Sequence, residues 1–435
     1  MDVLKIATAG SVDDGKSTLI GRLLYDTKSL TDDKLEAIER NSKKKGYDYL
    51  DFSLATDGLV AEREQGITID VAHIYFSTAN RSYIIADTPG HVEYTRNMVT
   101  GASTSQASII LVDARNGVIE QTKRHFYINN LLRVKDVIVA VNKMDLVDFD
   151  ESVFNSIKED ILKLQNQIDY KNQKITFIPI SALNGDNVVE ISDKTPWYRG
   201  ESLIEHLENI TVDDVKDKSQ MRFQVQTVIR PKKAEFHDFR GYAGKIKSGD
   251  LKVGDEVTVL PGNTSSKIKS IHFFDETYDK ADNGSSVTIS LENDIDVSRG
   301  DVIVKANELP NSEKNLSATV CWMDNTPLQV GKKYKIQHGV NKVISKITAL
   351  NAKIEPDKLG TKQDVVDVLN MNDIGNIDFK VNKPLHYDAY GDNKENGAFI
   401  LIDPQTNTTA GVGFFCCSCR DVMHYVSTRT KNNPM

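Results

Sequence analysis

The first half of the chain alternates short apolar runs with longer segments in which apolar residues recur at helical spacing. Glu120–Arg133 and Glu151–Ile168 are two such segments, and each is long enough for several helical turns. Buried strands that alternate with helices are typical of a mostly parallel sheet with helices on both faces. The pattern therefore predicts an α/β domain whose strands lie at Ile6–Ala9, Tyr83–Ala86, Ala107–Val112, Val137–Val141 and Ile175–Ile180.

The pattern changes after the polar stretch Thr211–Gln220, which has no apolar periodicity and is typical of a linker. From Met221 onward, short β-type segments are separated by Gly-containing turns and helical stretches are scarce. About 200 residues of this kind predict two all-β barrel domains, with a border near Leu309–Glu313. We expect a first domain at residues 1–212, barrels at 213–309 and 310–415, and an atypical tail at 416–435. The strongest β-type segments are Phe223–Ile229, Glu256–Leu260, Ser286–Leu291 and Val302–Val304.

The charge balance narrows the class of protein. Lys and Arg total 54 against 62 Asp and Glu, a net charge of −8 that disfavours a non-specific nucleic-acid coat protein. A local basic patch on an acidic chain would still permit a specific RNA partner. No apolar run approaches the roughly 18 residues of a membrane helix, and the N-terminus lacks the pattern of a signal peptide. Four cysteines do not make a disulfide framework for this length, so we expect a cytoplasmic protein without membrane contact.

The segment from Gly10 to Ser17 fits G-x-x-x-x-G-K-[ST] and lies between a predicted strand and a helical stretch. Glycines let backbone N–H groups turn toward phosphate oxygens, and the helix N-terminus adds a positive dipole. Lys16 is expected to reach the β- and γ-phosphates, and the hydroxyl of Ser17 to bind Mg²⁺. The predicted phosphate-binding residues here are Gly10, Ser11, Val12, Asp13, Asp14, Gly15, Lys16, Ser17 and Thr18.

A second polar loop, Asp87-Thr88-Pro89-Gly90, follows the strand Tyr83–Ala86. A carboxylate at the end of the neighbouring strand is where phosphate-loop enzymes place an Mg²⁺-linked Asp, here through a water molecule. Gly90 can offer its backbone N–H to a γ-phosphate because it has no side chain in the way. The loop is predicted to act as a switch, although the pattern alone also fits an ordinary turn.

Two further residues are candidates for the hydrolytic step. His91 directly follows Gly90 and is predicted to position the attacking water, although alone it would read as a surface histidine. Thr68 would supply a second hydroxyl to Mg²⁺, and it also fits an ordinary β-branched strand residue.

Residues that follow two more predicted strands are candidates for binding the base of the nucleotide. After Val137–Val141, the Asp145 carboxylate can accept both N1–H and the 2-amino group of guanine, which adenine does not offer. Because Lys143 has a long aliphatic stem, it can cover the base. A backbone N–H of Ser181-Ala182, which follow Ile175–Ile180, would reach the guanine O6, although Ser-Ala also fits an ordinary loop. Since ligands bind at strand ends in open α/β sheets, these loops predict a guanine nucleotide. The predicted base-binding residues are Asn142, Lys143, Asp145, Ser181, Ala182 and Leu183.

Together these motifs resemble the translation-factor class of GTPases. Asp57–Ile69 is similar to the first switch of that class and Asp87–His91 to the second. Within the class, the chain resembles the GTPase subunit of sulfate adenylyltransferase, and the paired Asp13-Asp14 is typical of that group. The similar stretches are Gly10–Leu24, Asp57–Val71, Ile84–Thr104, Asn142–Val147, Ser181–Val188, Pro196–Tyr198 and Asp238–Gly244.

The resemblance implies a function. Such subunits bind GTP and Mg²⁺, and GTP hydrolysis drives the formation of adenosine 5′-phosphosulfate and pyrophosphate from ATP and sulfate. Adenylyl transfer belongs to a separate small subunit, so a heterodimer or a higher assembly is expected. The main alternative is a translation elongation-type GTPase that acts with tRNA and the ribosome, and a weaker one is a GTP-binding switch without turnover of its own. Asp13-Asp14 and Asp238–Gly244 favour the first function.

The C-terminal end departs from the family pattern. Cys416 and Cys419 form a C-x-x-C pair beside Cys417, and His424 lies nearby, which invites a zinc hypothesis. A second pair of suitably spaced ligands is missing, so we favour an incidental tail.

Overall fold

The computed structural model describes residues 2–44, 50, 52, 71–89, 95–168, 170–211, 220–231, 239–274, 276–364 and 366–416. The chain forms two compact units, residues 1–212 with 355–362, and residues 213–354 with 363–435. Among the helices described, none is both long enough and apolar enough to span a bilayer.

The first unit is built on one sheet. The described strands are β1 (Val3–Ala9), β2 (Ala72–Ser77), β3 (Ser82–Asp87), β4 (Ala107–Asp113), β5 (Asp136–Asn142) and β6 (Lys174–Pro179). Their order is β2-β3-β1-β4-β5-β6, and β2 alone among them runs antiparallel to its neighbour. Every residue of β4 is buried, as expected for a central strand covered on both faces. The predicted mostly parallel sheet is confirmed, and β2 is an addition that the apolar runs did not indicate.

Two helices of this unit, Glu120–Leu131 and Glu151–Gln165, begin at the predicted residues and end within three residues of the predicted ends. The described helices are α1 (Lys16–Asp26), α2 (Asp32–Lys44), α3 (Thr95–Ser103), α4 (Glu120–Leu131), α5 (Glu151–Gln165) and α6 (Leu203–Asn209), with a 3-10 turn at Met144–Val147. The side chain of Asp150 accepts the Ser152 N–H at 2.7 Å, which fixes the start of α5. Leu19, Ile20 and Leu23 lie on the buried face of α1 and join the core of the sheet. That packing fixes the position of the first turn of α1 at the carboxyl ends of the parallel strands.

The second unit contains two closed β structures. The strands of the first are β7 (Arg222–Ile229), β8 (Gly241–Ser248), β9 (Leu251–Lys252), β10 (Glu256–Leu260), β11 (Thr264–Phe273), β12 (Glu276–Tyr278), β13 (Lys280–Ala281), β14 (Ser286–Leu291) and β15 (Val302–Lys305). Within the described part, six of them pair in the circle β10-β15-β7-β8-β14-β11, which the β10–β11 pairing closes. Phe223, Val225 and Ile246 lie in its core. This is the first predicted barrel.

The second barrel follows the same plan. Its strands are β16 (Asn311–Trp322), β17 (Leu328–Gln329), β18 (Lys333–His338), β19 (Asn341–Glu355), β20 (Thr361–Asp364), β21 (Val368–Leu369), β22 (Ile374–Tyr387), β23 (Ala398–Ile402) and β24 (Thr409–Phe415), with helix α7 at Lys394–Gly397 and a 3-10 turn at Pro356–Lys358. Six of these described strands close in the order β18-β23-β24-β16-β22-β19, with β18 paired to β19. An α/β domain followed by two all-β barrels is therefore confirmed.

A buried ion pair joins the two barrels within the second unit. The Arg222 guanidinium is fully buried and donates from Nε and Nη2 to the Asp388 carboxylate at 2.9 and 2.8 Å. The side-chain amides of Asn393 and Asn396 donate to the same carboxylate at 3.3 and 2.8 Å. A buried pair of charges is tolerated only when its remaining hydrogen-bonding groups are satisfied, as they are here.

Several predictions concern residues at or beyond the ends of the described ranges. Residues 212–219 of the predicted linker are outside the described residues, and the domain limits stay predictions. Cys416 is half-buried after β24, whereas Cys417, Cys419 and His424 lie outside the described part, so the role of the tail remains a sequence hypothesis.

Candidate nucleotide-binding site

The loop between β1 and α1 is shaped by Gly15. Its φ of +90° is in the left-handed region, and a Cβ there would lie 2.5 Å from Nδ2 of Asn142. Any side chain at this position would be strained and would collide with that amide. The Leu19 N–H donates to the Gly15 carbonyl at 2.9 Å and begins the helix. The predicted phosphate loop thus leads directly into a helix N-terminus at the edge of the sheet.

Lys16 is the cation of this loop. Its side chain is buried, and Nζ donates to the carbonyls of Gly10 and Ser11 at 2.7 and 3.0 Å. Burial lowers the pKa of Lys16, while the carboxylates of Asp87, Asp14 and Asp13 oppose that effect. The ammonium group therefore lies across the loop, held by backbone oxygens.

Asp14, the second residue of the Asp13-Asp14 pair, makes a hydrogen bond within the phosphate loop. It is buried, and its Oδ2 accepts the Ser11 N–H at 2.5 Å. Burial raises the pKa of Asp14, and the Ser11 hydrogen bond and nearby Lys16 act against the increase. Asp13 is exposed and has a φ of 69°, so the two neighbours have different environments.

The predicted magnesium ligands have a donor set that suits the ion. The half-buried Ser17 hydroxyl makes no hydrogen bond to any of the described residues. Asp87 is buried at the end of β3, where its Oδ1 accepts the Thr8 hydroxyl proton at 3.1 Å. Thr88 donates to the Thr8 carbonyl at 2.5 Å, which fixes the chain just after Asp87. A hydroxyl and a carboxylate are oxygen ligands of the kind that Mg²⁺ prefers, so these residues fit the ion.

One amide connects three loops. The buried Asn142 side chain donates from Nδ2 to the Asp14 carbonyl at 2.7 Å. Its Oδ1 accepts the Ala182 N–H at 2.9 Å. The end of β5 is thereby linked to the phosphate loop on one side and to the loop after β6 on the other. Asn142, which was predicted to bind the base, therefore links the phosphate loop to the loop after β6 through its side-chain amide.

Lys143 is held in place by Asp113, a residue outside the predicted site. Its Nζ donates to the Asp13 carbonyl at 2.5 Å and pairs with Asp113 at 3.0 Å. Arg115 also donates to Asp113, at 2.7 Å. Burial alone would raise the pKa of Asp113, but hydrogen bonds from Arg115 and Lys143 outweigh it and lower the pKa to about 2. The sequence did contain a signal, because Asp113 ends the fully buried strand β4 in the same way that Asp87 ends β3.

The base-side groups differ in which of them are already hydrogen-bonded. The Asp145 carboxylate is half-buried and makes no hydrogen bond to a described residue. The Ser181 N–H donates to the Asp186 carbonyl at 3.2 Å, and the Ala182 N–H is taken by Asn142. The Leu183 N–H has no acceptor within the described part of the chain. The N–H groups of Ser181 and Ala182, which were predicted to reach the base, are therefore already hydrogen-bonded, and the Leu183 N–H is the one left for a ligand.

Arg22 on α1 contacts the loop after β6, and the sequence did not predict this contact. Its Nε pairs with Asp26 at 2.8 Å, and its guanidinium lies 5.6 Å from the ring centre of Phe52. Its Nη1 donates to the Leu183 carbonyl at 3.4 Å. No local sequence signal marks this arginine, because its partner is 161 residues away.

Three predicted residues are not among the described ones. Thr68, Gly90 and His91 lie outside the described residues, so their roles stay predictions. Pro89, the last described residue of the predicted second switch, is buried.

Comparison with known proteins agrees with this site. Residues 1–212 match the family described as "Elongation factor Tu GTP binding domain", and residues 315–415 match "GTP-eEF1A C-terminal domain-like". The chain is 49% identical over 414 residues to sulfate adenylyltransferase subunit 1 of Bacteroides fragilis, covering 95% of this chain and 85% of that protein. It is 46% identical over 429 residues to the bifunctional enzyme CysN/CysC of Mycobacterium tuberculosis, covering 98% and 68%. A solved structure of sup35 complexed with GMPPNP aligns with 95% of this chain and 94% of its own, at 22% identity and a TM-score of 0.43.

The resemblance predicted from the motifs is therefore confirmed. A GTP-binding domain of the elongation factor Tu type occupies residues 1–212. The chain belongs to the family of sulfate adenylyltransferase subunit 1.

Proposed function

We propose that this GTPase subunit couples GTP hydrolysis to the adenylation of sulfate, in which ATP and sulfate give adenosine 5′-phosphosulfate and pyrophosphate. The nucleotide-binding part of the proposal rests on the Asn142 amide, whose two hydrogen bonds join the phosphate loop to the base-side loop. Membership of the sulfate adenylyltransferase subunit 1 family supports the reaction. The word "subunit" in the relatives' name supports a companion chain, to which we assign the adenylyl transfer.

The phosphate end of GTP is bound by the loop from Gly10 to Thr18. Backbone N–H groups and the positive end of the α1 dipole stabilise the anionic phosphates. Lys16 exchanges two backbone carbonyls for β- and γ-phosphate oxygens, and a charge-assisted hydrogen bond is stronger than the neutral-acceptor bonds it replaces. Ser17 and Thr68 would hold Mg²⁺ directly and Asp87 through water. That ion, when bound, neutralises charge on the phosphates.

The guanine base lies between the loops after β5 and β6. Asp145 accepts N1–H and the 2-amino group, and Leu183 donates its N–H to O6. The aliphatic stem of Lys143 covers one face of the ring, while its ammonium group stays paired with Asp113. Adenine would leave the Asp145 carboxylate without a donor and is rejected for that reason.

Hydrolysis needs an oriented water molecule and a stabilised γ-phosphate. The Gly90 N–H donates to a γ-phosphate oxygen, and His91 orients the water for in-line attack. Thr88 and Pro89 belong to the segment that links these groups to β3. The free energy of GTP hydrolysis then drives the unfavourable adenylation on the companion subunit.

The test combines the purified chain with the small subunit, ATP, sulfate and GTP, with pyrophosphatase omitted. Phosphate release from GTP and the yield of adenosine 5′-phosphosulfate are measured together. We expect GTP to raise that yield, and we expect the small subunit with its substrates to accelerate phosphate release. Lys16→Ala abolishes both effects, whereas the exposed Lys34→Ala on α2 serves as the matched control. A yield that does not respond to GTP would refute the coupling.

A further inference from the structure

Three lysines form a row across adjacent strands on the outside of the second barrel. Lys333 on β18 is paired directly with Lys346 on β19, and Lys346 is paired directly with Lys380 on β22. All three side chains are exposed, and the residues before and after each of them are more buried. Because directly paired residues point to the same face of a sheet, the three ammonium groups share one outer surface. We call Lys333, Lys346 and Lys380 the lysine row.

The lysine row is not compensated by acidic side chains. Within the described part of the chain, no carboxylate lies at ion-pair distance from any of its members. Asp378, two residues before Lys380 on β22, is engaged by the Ser317 hydroxyl at 2.6 Å. Like charges placed directly opposite each other on neighbouring strands destabilise a sheet. These three strands are part of the wall of a closed barrel and have neighbours on both sides, so the lysines do not protect a sheet edge.

The row borders a groove with an apolar component. The groove has a volume of about 580 Å³ and is lined by all three lysines. Val330 and Ile344 also line it and are 54% and 42% exposed. Lys335 is paired with Ile344 across β18 and β19, which places another cation beside the exposed isoleucine. The surface therefore combines positive charge with large apolar side chains that are open to contact.

This combination selects among anionic partners. A free inorganic anion would use the lysines but would leave the exposed side chains of Val330 and Ile344 without a contact. Proteins gain much of their affinity for single-stranded nucleic acid from stacking of the bases on aromatic rings. None of the described residues that line the groove is aromatic or an arginine. A protein segment can supply both carboxylates and an apolar side chain. Interfaces of that kind have an apolar centre with charges around it that steer association.

We propose that the lysine row and the adjoining groove dock an acidic segment of the companion subunit. The segment places carboxylates against Lys333, Lys346 and Lys380 and an apolar side chain against Ile344. Docking also relieves the repulsion among the three ammonium groups, which the free chain tolerates. This inference deepens the proposed function, since it rests on the existence of that companion and assigns it a surface on this chain.

The test measures binding of the small subunit to the full-length chain by isothermal titration calorimetry at low and at physiological ionic strength. The triple variant Lys333→Gln, Lys346→Gln, Lys380→Gln removes three charges from the row. Lys174→Gln, Lys245→Gln, Lys269→Gln removes three exposed lysines elsewhere and is the matched control. We expect the row variant to bind roughly tenfold more weakly or worse and to lose most of the salt dependence. The control keeps the wild-type affinity and slope.

Two further measurements keep the outcome decisive. The row variant should retain wild-type basal GTPase activity and a urea midpoint at least as high as wild type, because repulsion has been removed. Ile344→Ala, with the lysines intact, should weaken binding without changing its salt dependence. Equal binding of the row variant and the control would overturn the docking site while leaving the proposed function in place. Failure of the wild-type chain to bind the small subunit would overturn both, and row-dependent binding of single-stranded RNA in its place would assign the surface to another partner class.

Discussion

Removal of the Asn142 side chain tests whether one amide holds the nucleotide site together. In Asn142→Ala, the Asp14 carbonyl and the Ala182 N–H lose their partners. Both residues are buried, and an unsatisfied buried polar group costs about 1–3 kcal/mol. Two such groups give an expected loss of about 2–6 kcal/mol from the free energy of unfolding of the first unit. GTP affinity falls as well, because the phosphate loop and the base-side loop are no longer held in position relative to each other.

The assay combines urea denaturation with peptide-level hydrogen exchange, which reports residues 1–212 separately from the barrels. Titration with a fluorescent GTP analogue gives the affinity, for which we expect a loss of roughly tenfold or more, about 1.4 kcal/mol. Asn166→Ala is the control, since Asn166 is exposed at the end of α5 and its side chain makes no hydrogen bond to a described residue. A loss of less than about 1 kcal/mol, together with unchanged GTP affinity, would contradict the role given to this amide.

The remaining predictions concern the base, the catalytic step, the barrel interface and the pH dependence of stability. Asp145→Asn shifts nucleotide preference from GTP toward xanthosine triphosphate in competition binding; retention of GTP preference would remove Asp145 from the base pocket. His91→Ala slows single-turnover GTP hydrolysis and leaves GTP affinity near normal, and an unchanged rate would exclude it from positioning the water. Arg222→Met leaves the buried Asp388 charge unpaired and lowers the urea-derived free energy of unfolding by about 3–5 kcal/mol; a change below about 1 kcal/mol would show that the pair is dispensable. Burial lowers the pKa of His338 to about 4, so the unfolded chain takes up the proton first and stability is lost as the pH falls from about 6.5 to 4. His338→Gln removes up to about 3 kcal/mol of that pH dependence, and an identical pH profile in the variant would contradict this.

Much of the fold was accessible from local patterns. Continuous apolar runs identify strands buried on both faces, so the runs at β1, β3, β4, β5 and β6 were predictable. Strand β2 was not, because only Phe76 among its residues is buried and the strand pairs at the edge of the sheet. An edge strand with one buried residue has no periodicity that distinguishes it from a loop.

The site was predictable to the extent that its residues end strands. Asp87 and Asn142 were identified by that rule, and the same rule applied to β4 would have included Asp113. Which groups are free could not be read from the chain, because the Ala182 N–H is taken by a side chain 40 residues away. The Leu183 N–H became the candidate donor only when that contact was known.

The sequence by itself determined the nucleotide class and the order of domains. The glycine spacing of the phosphate loop, the strand-end residues and the change to closely spaced β segments are local signals, and local chemistry limits what each can form. The tertiary structure decided how those signals combine. The Asn142 hydrogen bonds, the Arg222–Asp388 pair and the lysine row are made by residues 40 or more positions apart or on different strands. Such contacts depend on the register of strands and on the closure of barrels, which follow from packing the whole chain.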